Sequence, residues 1–144
     1  IMKLNYVTAG VELIGTTVKK LNIENNIVDI EKDGKRIFGL NINEPIFQKV
    51  EDKLFGQIVI DFEVEINQSD EQTCKIDVSI EGAFLSSVEA DEKAFKELVS
   101  VNGAAALIGI ARGNIESISA NIFNSGKVTI PFVNVVDYYK SLME

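Results

Sequence analysis

The chain has no histidine and a single cysteine, Cys74. Without histidine there is no Ser-His-Asp or Cys-His catalytic arrangement, and the commonest general base near neutral pH is missing. Zinc sites of Cys/His type are excluded as well, and one cysteine cannot close a disulfide within the chain. Only carboxylate or lysine chemistry is left. The expectation is a protein that is not an enzyme, with no catalytic residue, no metal and no cofactor.

Positive charge is also scarce. Fourteen Lys and Arg stand against 22 Asp and Glu, for a net charge of −8. Nucleic-acid binding rests on cations that neutralise phosphate, so no nucleic-acid partner is expected. A basic or neutral partner suits the balance, and the same acidity also serves to keep a protein monodisperse. No apolar run reaches the roughly 18–20 residues of a membrane span, so no membrane insertion is expected. The N-terminal segment has one lysine and no small-residue cleavage site, unlike a signal peptide, which makes the cytoplasm the default location. There is no GxxxxGK[ST] loop, and the glycines between 103 and 113 fall in a predicted helix, so no phosphate cradle is expected.

What is present is a globular composition: 144 residues, 46% hydrophobic and 25% charged. That reads as one domain, 1–144, long enough to bury a core. Residues 11–24 are strand-like, with a break near Gly15. Ile27–Glu31 and Arg36–Asn43 flank Lys32-Asp33-Gly34-Lys35, a hairpin signal. Pro45 to Gly56 reads as a connection anchored by Ile46, Phe47, Val50, Leu54 and Phe55. Ile58, Ile60, Phe62, Val64 and Ile66 then alternate with Asp61, Glu63 and Glu65, the clearest strand. After a polar turn, Cys74, Ile76, Val78 and Ile80 alternate with Lys75, Asp77, Ser79 and Glu81. The two should pair antiparallel, with one face buried and one wet and mostly acidic. Asp61, Glu63 and Glu65 are spaced along a strand rather than converging, so a solvated face is expected there, not a cation site. Cys74 reads as a buried structural thiol.

Asp91 predicts a helix N-cap, and Phe95, Leu98 and Val99 a buried helical face that Asn102-Gly103 ends. A longer helix runs from about Ala104 to Phe123 on Leu107, Ile108, Ala111, Ile115, Ile118 and Ile122. Ala105, Gly109 and Gly113 form a small-residue stripe on it, at a helix-propensity cost of about 1 kcal/mol per glycine. Arg112 within this helix is expected to pair with an acidic residue. Lys127 to Ile130 reads as a short strand. Asn134 caps a last helix whose Val135, Tyr138, Tyr139, Leu142 and Met143 exceed one buried stripe. These aromatics either complete the core or line a groove for extended polypeptide.

This order of elements resembles the SecB export chaperones. The local matches are Glu81-Gly82-Ala83-Phe84 after the last strand, Ala111-Arg112 in the long helix, and Pro131 through Met143. The likeness spans nearly the whole chain as a pattern. It implies an α+β fold, an antiparallel sheet of about four strands covered on one face by helices. It also implies an ATP-independent cytosolic holdase that keeps unfolded preproteins competent for export. The family's homotetramer, a dimer of dimers, would place Ala105, Gly109, Arg112 and Gly113 at an interface. Its client grooves would be lined here by Phe38, Leu40, Ile42, Phe132, Tyr138, Tyr139, Leu142 and Met143. Glu24 and Asp77 match the acidic surface that docks the SecA motor. Lys20 and Lys75 depart from that surface, and the sequence ends at Glu144 without the family's flexible tail; both speak against SecA. Some SecB-like proteins guard an antitoxin instead. An interaction module dedicated to one such partner is the competing expectation.

Overall fold

The strand carried by Ile58 to Ile66 is the middle of the protein. In the computed structural model, which describes residues 1, 10–87 and 91–144, it extends over Lys53–Asn67 as β4. Residues 2–9, which include most of the stretch read as unlike a leader, lie outside that description. The even-numbered side chains from Ile58 to Ile66 are buried, each contributing about 1.5–3 kcal/mol by leaving water. β5, Thr73–Ser86, pairs with β4 antiparallel, and Cys74, Ile76, Val78 and Ile80 fall on the same buried face. β1, Val11–Asn25, adds to the far edge of β5, with register shifts between Leu13 and Gly15 and between Val18 and Lys20. The expected break near Gly15 is the first of these bulges.

On its other edge β4 carries two short strands in succession, β2 (Lys35–Ile42) and β3 (Ile46–Val50). Ile42 faces Ile60 and Ile46 faces Gln57, so four steps along one side match three along the other. Pro45, which has no amide to give the ladder, stands in this break. The sheet therefore has five strands but is four strands wide.

Three local expectations are corrected. The Lys32–Gly34 turn forms, with the Gly34 amide donating to Glu31 O, but no hairpin is built on it. The Asn25 side chain bonds both the amide and the carbonyl of Ile27 and turns the chain off β1. Asn124 N then donates to Val28 O, and Ile30 N to Ser125 O. The second correction is the connection after Pro45, which is β3 and the start of β4. The third is 127–130, which forms no strand. It lies along the helix, where the buried Ser119 Oγ accepts the Val128 amide at 2.9 Å and a Glu116 carboxylate oxygen accepts that of Ile130.

Asp91 caps α1, Glu92–Leu98, by accepting the Ala94 amide. Asn102-Gly103 does not stop this helix. A π-helical turn over Val99–Gly103 carries it on into α2, Ala104–Ile122, one continuous helix of 31 residues. Gly103 serves close approach rather than a cap, because a Cβ there would meet the Phe84 ring at 2.9 Å. Gly82 does the same on β5, where a Cβ would lie 2.5 Å from a Leu107 methyl. The joined helix is long and apolar enough by composition to cross a membrane. Its Phe95, Val99, Leu107, Ala111 and Ile115 are buried in the core it shares with the sheet. α3, Val135–Ser141, starts at Asn134, whose side chain accepts the Asp137 amide as expected.

Candidate functional site

The core face of β2 is only partly covered. Phe38 and Leu40 project onto it opposite Val64 and Phe62. The chain from Pro131 to Tyr138 passes beside them, leaving a groove of about 490 Å³ between the two. Its walls are Phe38, Gly39, Leu40 and Phe62 on the sheet side, and Pro131, Phe132, Val133, Asn134, Asp137 and Tyr138 on the other. Asp137 is the one charged residue among these.

Phe132 forms the crest of the wall. It is 90% exposed, far from the usual environment of a phenylalanine. Its ring lies under the Arg112 guanidinium, 4.5 Å from ring centroid to Cζ, a cation–π contact worth about 0.5–2 kcal/mol. The expected ion pair of Arg112 is therefore corrected: among the described residues Arg112 forms no salt bridge, and its buried Nε has no hydrogen-bond partner. Beyond Phe132 lies a second open depression of about 510 Å³, bordered by Val101, Ala105 and Val133–Val136.

The two tyrosines hold α3 in place by their hydroxyls. Tyr138 Oη accepts the Ile42 amide at 3.0 Å, and Tyr139 Oη donates to Ser100 O, in the π-helical turn, at 2.8 Å. The rings pack edge to face, 5.6 Å apart. Burial, and then the neighbouring Tyr138, push the Tyr139 hydroxyl pKa above its ordinary value, so it stays protonated as this donor role requires.

Of the eight residues read as groove-lining, the structure brings four together: Phe38, Leu40, Phe132 and Tyr138. Ile42 is in the core, and Tyr139 points to the π-helical turn. Leu142 and Met143 are exposed but outside the groove walls. Sequence reasoning missed Gly39, Phe62, Pro131, Val133, Asn134 and Asp137 as walls. Pro131, whose fixed φ sets the course of this wall, was the available signal.

Ala105, Gly109 and Gly113 lie exposed on the outer side of α2, and a Cβ at either glycine meets only open space. Arg112 is half-buried beside them. On the opposite, solvent face of the sheet, Glu24 and Asp77 are both present, but Lys75 stands between Glu24 and Glu65 in the cross-strand rows. Lys20 faces Ser79 in the next row but one, and Lys19 pairs with Glu81 at 3.7 Å. Among the described residues no group of His, Cys, Asp and Glu is arranged to hold a metal.

No protein-family model matches the chain, and no curated protein matches it by sequence. The fold is similar to that of a SecB-like chaperone from Mycobacterium tuberculosis, solved in complex with a ChAD peptide from an antitoxin. That likeness has a TM-score of 0.59 at 12% identity and covers 88% of this chain and 92% of that one. A protein of unknown function from Streptococcus agalactiae gives a TM-score of 0.43 at 13% identity, over 85% of this chain and 97% of its own. At such identity the first likeness is one of architecture: the fold is SecB-like.

Proposed function

We propose that residues 1–144 form one chaperone domain that holds unfolded polypeptide segments without nucleotide. The observation that carries this is the open groove walled by Phe38, Leu40, Phe132 and Tyr138. An apolar segment laid in it is stabilised by about 25 cal/mol for each Å² removed from water. Ordering an unfolded client opposes that gain, so affinity is modest and clients are many. The exposed Phe132 supports the same reading because it belongs to one apolar wall with Pro131 and Val133, facing Phe38 and Leu40, and contiguous exposed apolar surface marks interaction sites.

The test is suppression of aggregation. At micromolar concentration the protein slows aggregation of several unrelated unfolded proteins. Replacing Leu40 and Phe132 together by Ser weakens client binding about tenfold or more while the circular dichroism spectrum is kept. A wild type that protects none of those proteins sinks the proposal.

Delivery of preproteins to the Sec pathway and protection of an antitoxin are two cytoplasmic tasks for such a holdase. The second is favoured by the antitoxin peptide held by the SecB-like chaperone of M. tuberculosis, and by Lys75 and Lys20 interrupting the acidic face on which Glu24 and Asp77 would meet SecA. Calorimetry against SecA separates them: measurable binding that Asp77→Lys abolishes restores the export task. Assembly through the outer side of α2, as a dimer of dimers, belongs to the same proposal.

A further inference from the structure

Arg112 is the one cation on α2, and nothing in its own helix answers its charge. Glu116 stands at i+4, a spacing at which opposite charges on a helix meet. Its carboxylate instead accepts the Ile130 amide at 3.2 Å. Among the described residues no acid pairs with Arg112, and its buried Nε donor lacks an acceptor. A buried N–H without an acceptor is destabilising and rare. The Phe132 ring covers one face of the guanidinium, 4.5 Å from centroid to Cζ. Stacking uses the face and leaves the edge, where the five N–H donors lie in one plane. Arg112 is only half-buried. Gly113 beside it has no side chain, and a Cβ there would meet only open space among the described residues. Phe132 is a wall both of the groove and of the depression beyond it, so Arg112 stands at the crest between the two.

We propose that Arg112, seated on the Phe132 ring, is a specificity-determining residue that pairs with an Asp or Glu side chain of the held polypeptide. This rests on the holding function above and names one side chain that the site selects. A planar guanidinium takes a carboxylate through two parallel bonds, and that pair gives the Nε donor its acceptor. A single cation matches a single negative charge. The helix runs unbroken through this region, so it offers no N-terminal amides to a phosphate. The only charge on the groove walls is the Asp137 carboxylate, which repels an acid placed deeper in the groove and leaves the crest as its position. The chain carries −8 overall, a field that disfavours acidic segments in general. A preference for a carboxylate therefore runs against that field and reports Arg112.

The experiment uses the full chain and synthetic peptides of about eight residues, blocked at both ends so that no terminal carboxylate is present. Leu and Thr alternate, and a single Glu occupies each position in turn. Every peptide has an isosteric Gln counterpart. The wild type is expected to bind the Glu peptide about fivefold or more tightly than the Gln peptide at one position or two adjacent ones. In Arg112→Gln the two affinities agree within about twofold. A residue that only held Phe132 in place would weaken both peptides alike and leave their ratio unchanged; that result overturns the proposal. So does a wild type that prefers Gln at every position, as the net charge alone dictates. Should Arg112→Gln fail to fold, Arg112→Lys tests the same point. It keeps the charge, lacks the planar fork and the Nε donor, and loses most of the preference; a full preference in Arg112→Lys overturns the guanidinium's role. All of these leave the holding function intact. Peptides that fail to bind, together with no protection in the aggregation assay, overturn the holding function itself. A Glu preference that fades as protein concentration rises identifies a carboxylate of a second copy as the partner and overturns the client assignment.

Discussion

Asp61 on the solvent face of β4 collects three donors. Ser79 Oγ bonds one carboxylate oxygen, and the amides of Asn43 and Asn41 reach the other at 3.0 and 3.4 Å. The Ser79 bond is the largest cause holding its pKa below the ordinary 3.8; the Asn43 and Asn41 bonds and the charge of Lys20 add to it, against a smaller penalty from burial. The folded value is thus below the unfolded one, so ionised Asp61 stabilises the fold above about pH 4 and that contribution is lost as pH falls through the folded value. Asp61→Asn is expected to lower unfolding stability at pH 7 by about 1 kcal/mol, allowing for solvent screening. Urea midpoints of both proteins should converge below pH 3.8; a gap unchanged with pH removes the carboxylate from this account. At this scale the sequence was legible where a residue's role is local: Cys74 by its alternation, Asn134 and Asp91 by their caps. It was not legible for Arg112 or Tyr139, whose partners Phe132 and Ser100 are set by how α2 and the C-terminal segment meet.

β2 and β3 show what an element's pattern reveals and what it hides. The alternation of β4 and β5 is visible because one face of each is buried along nearly its whole length, and β1's break announces itself at Gly15. The hairpin expected around Asp33-Gly34 failed because a turn signal specifies the turn and not its partners: the Asn25 side chain diverts the chain, and residues 28–30 find 124–125. β3 was hidden because Pro45 broke the pattern one residue out of register. The helix break expected at Asn102-Gly103 was hidden similarly, since a glycine demanded by Phe84 looks the same in sequence as a glycine that ends a helix. The β3–β4 hairpin turns on Glu51-Asp52, with Glu51 at φ 58. A left-handed conformation costs an ordinary residue about 1–2 kcal/mol, and two-residue hairpin loops favour glycine at such a position. Glu51→Gly is therefore expected to raise stability by up to about 1 kcal/mol, the glycine's own unfolded-state entropy taking back part of the gain. A lower melting temperature for this variant counts against the turn as described.

At the scale of the molecule the apolar surface left uncovered is more than one groove can use. β1 is an edge strand of 15 residues whose Leu13, Val18, Leu21 and Ile23 lie on the core side of the sheet, opposite Phe84, Ile80, Val78 and Ile76. Each of the four stays 36–50% exposed, and Leu13 borders a cleft that it shares with Leu98, Asn102 and Ala106 of the helix. The outer side of α2 adds Ala105, Gly109 and Gly113, where a Cβ on either glycine would meet no neighbour among the described residues. For a lone chain those two glycines are a net loss, about 1 kcal/mol each against alanine in a helix. A second copy packed on α2 would reverse the sign, since small residues let two backbones approach closely. The two cases part on substitution. Gly109→Ala is expected to raise the thermal stability of the dilute chain and Gly109→Leu to dissociate the assembly, while peptide binding in the β2 groove is unchanged by either. Sedimentation equilibrium should show the wild type at a multiple of 15.9 kDa and Gly109→Leu at a smaller one. A wild type that sediments as a monomer, or a Gly109→Leu assembly of undiminished mass, takes the stripe out of the interface and leaves the glycines as a cost to the helix without a return.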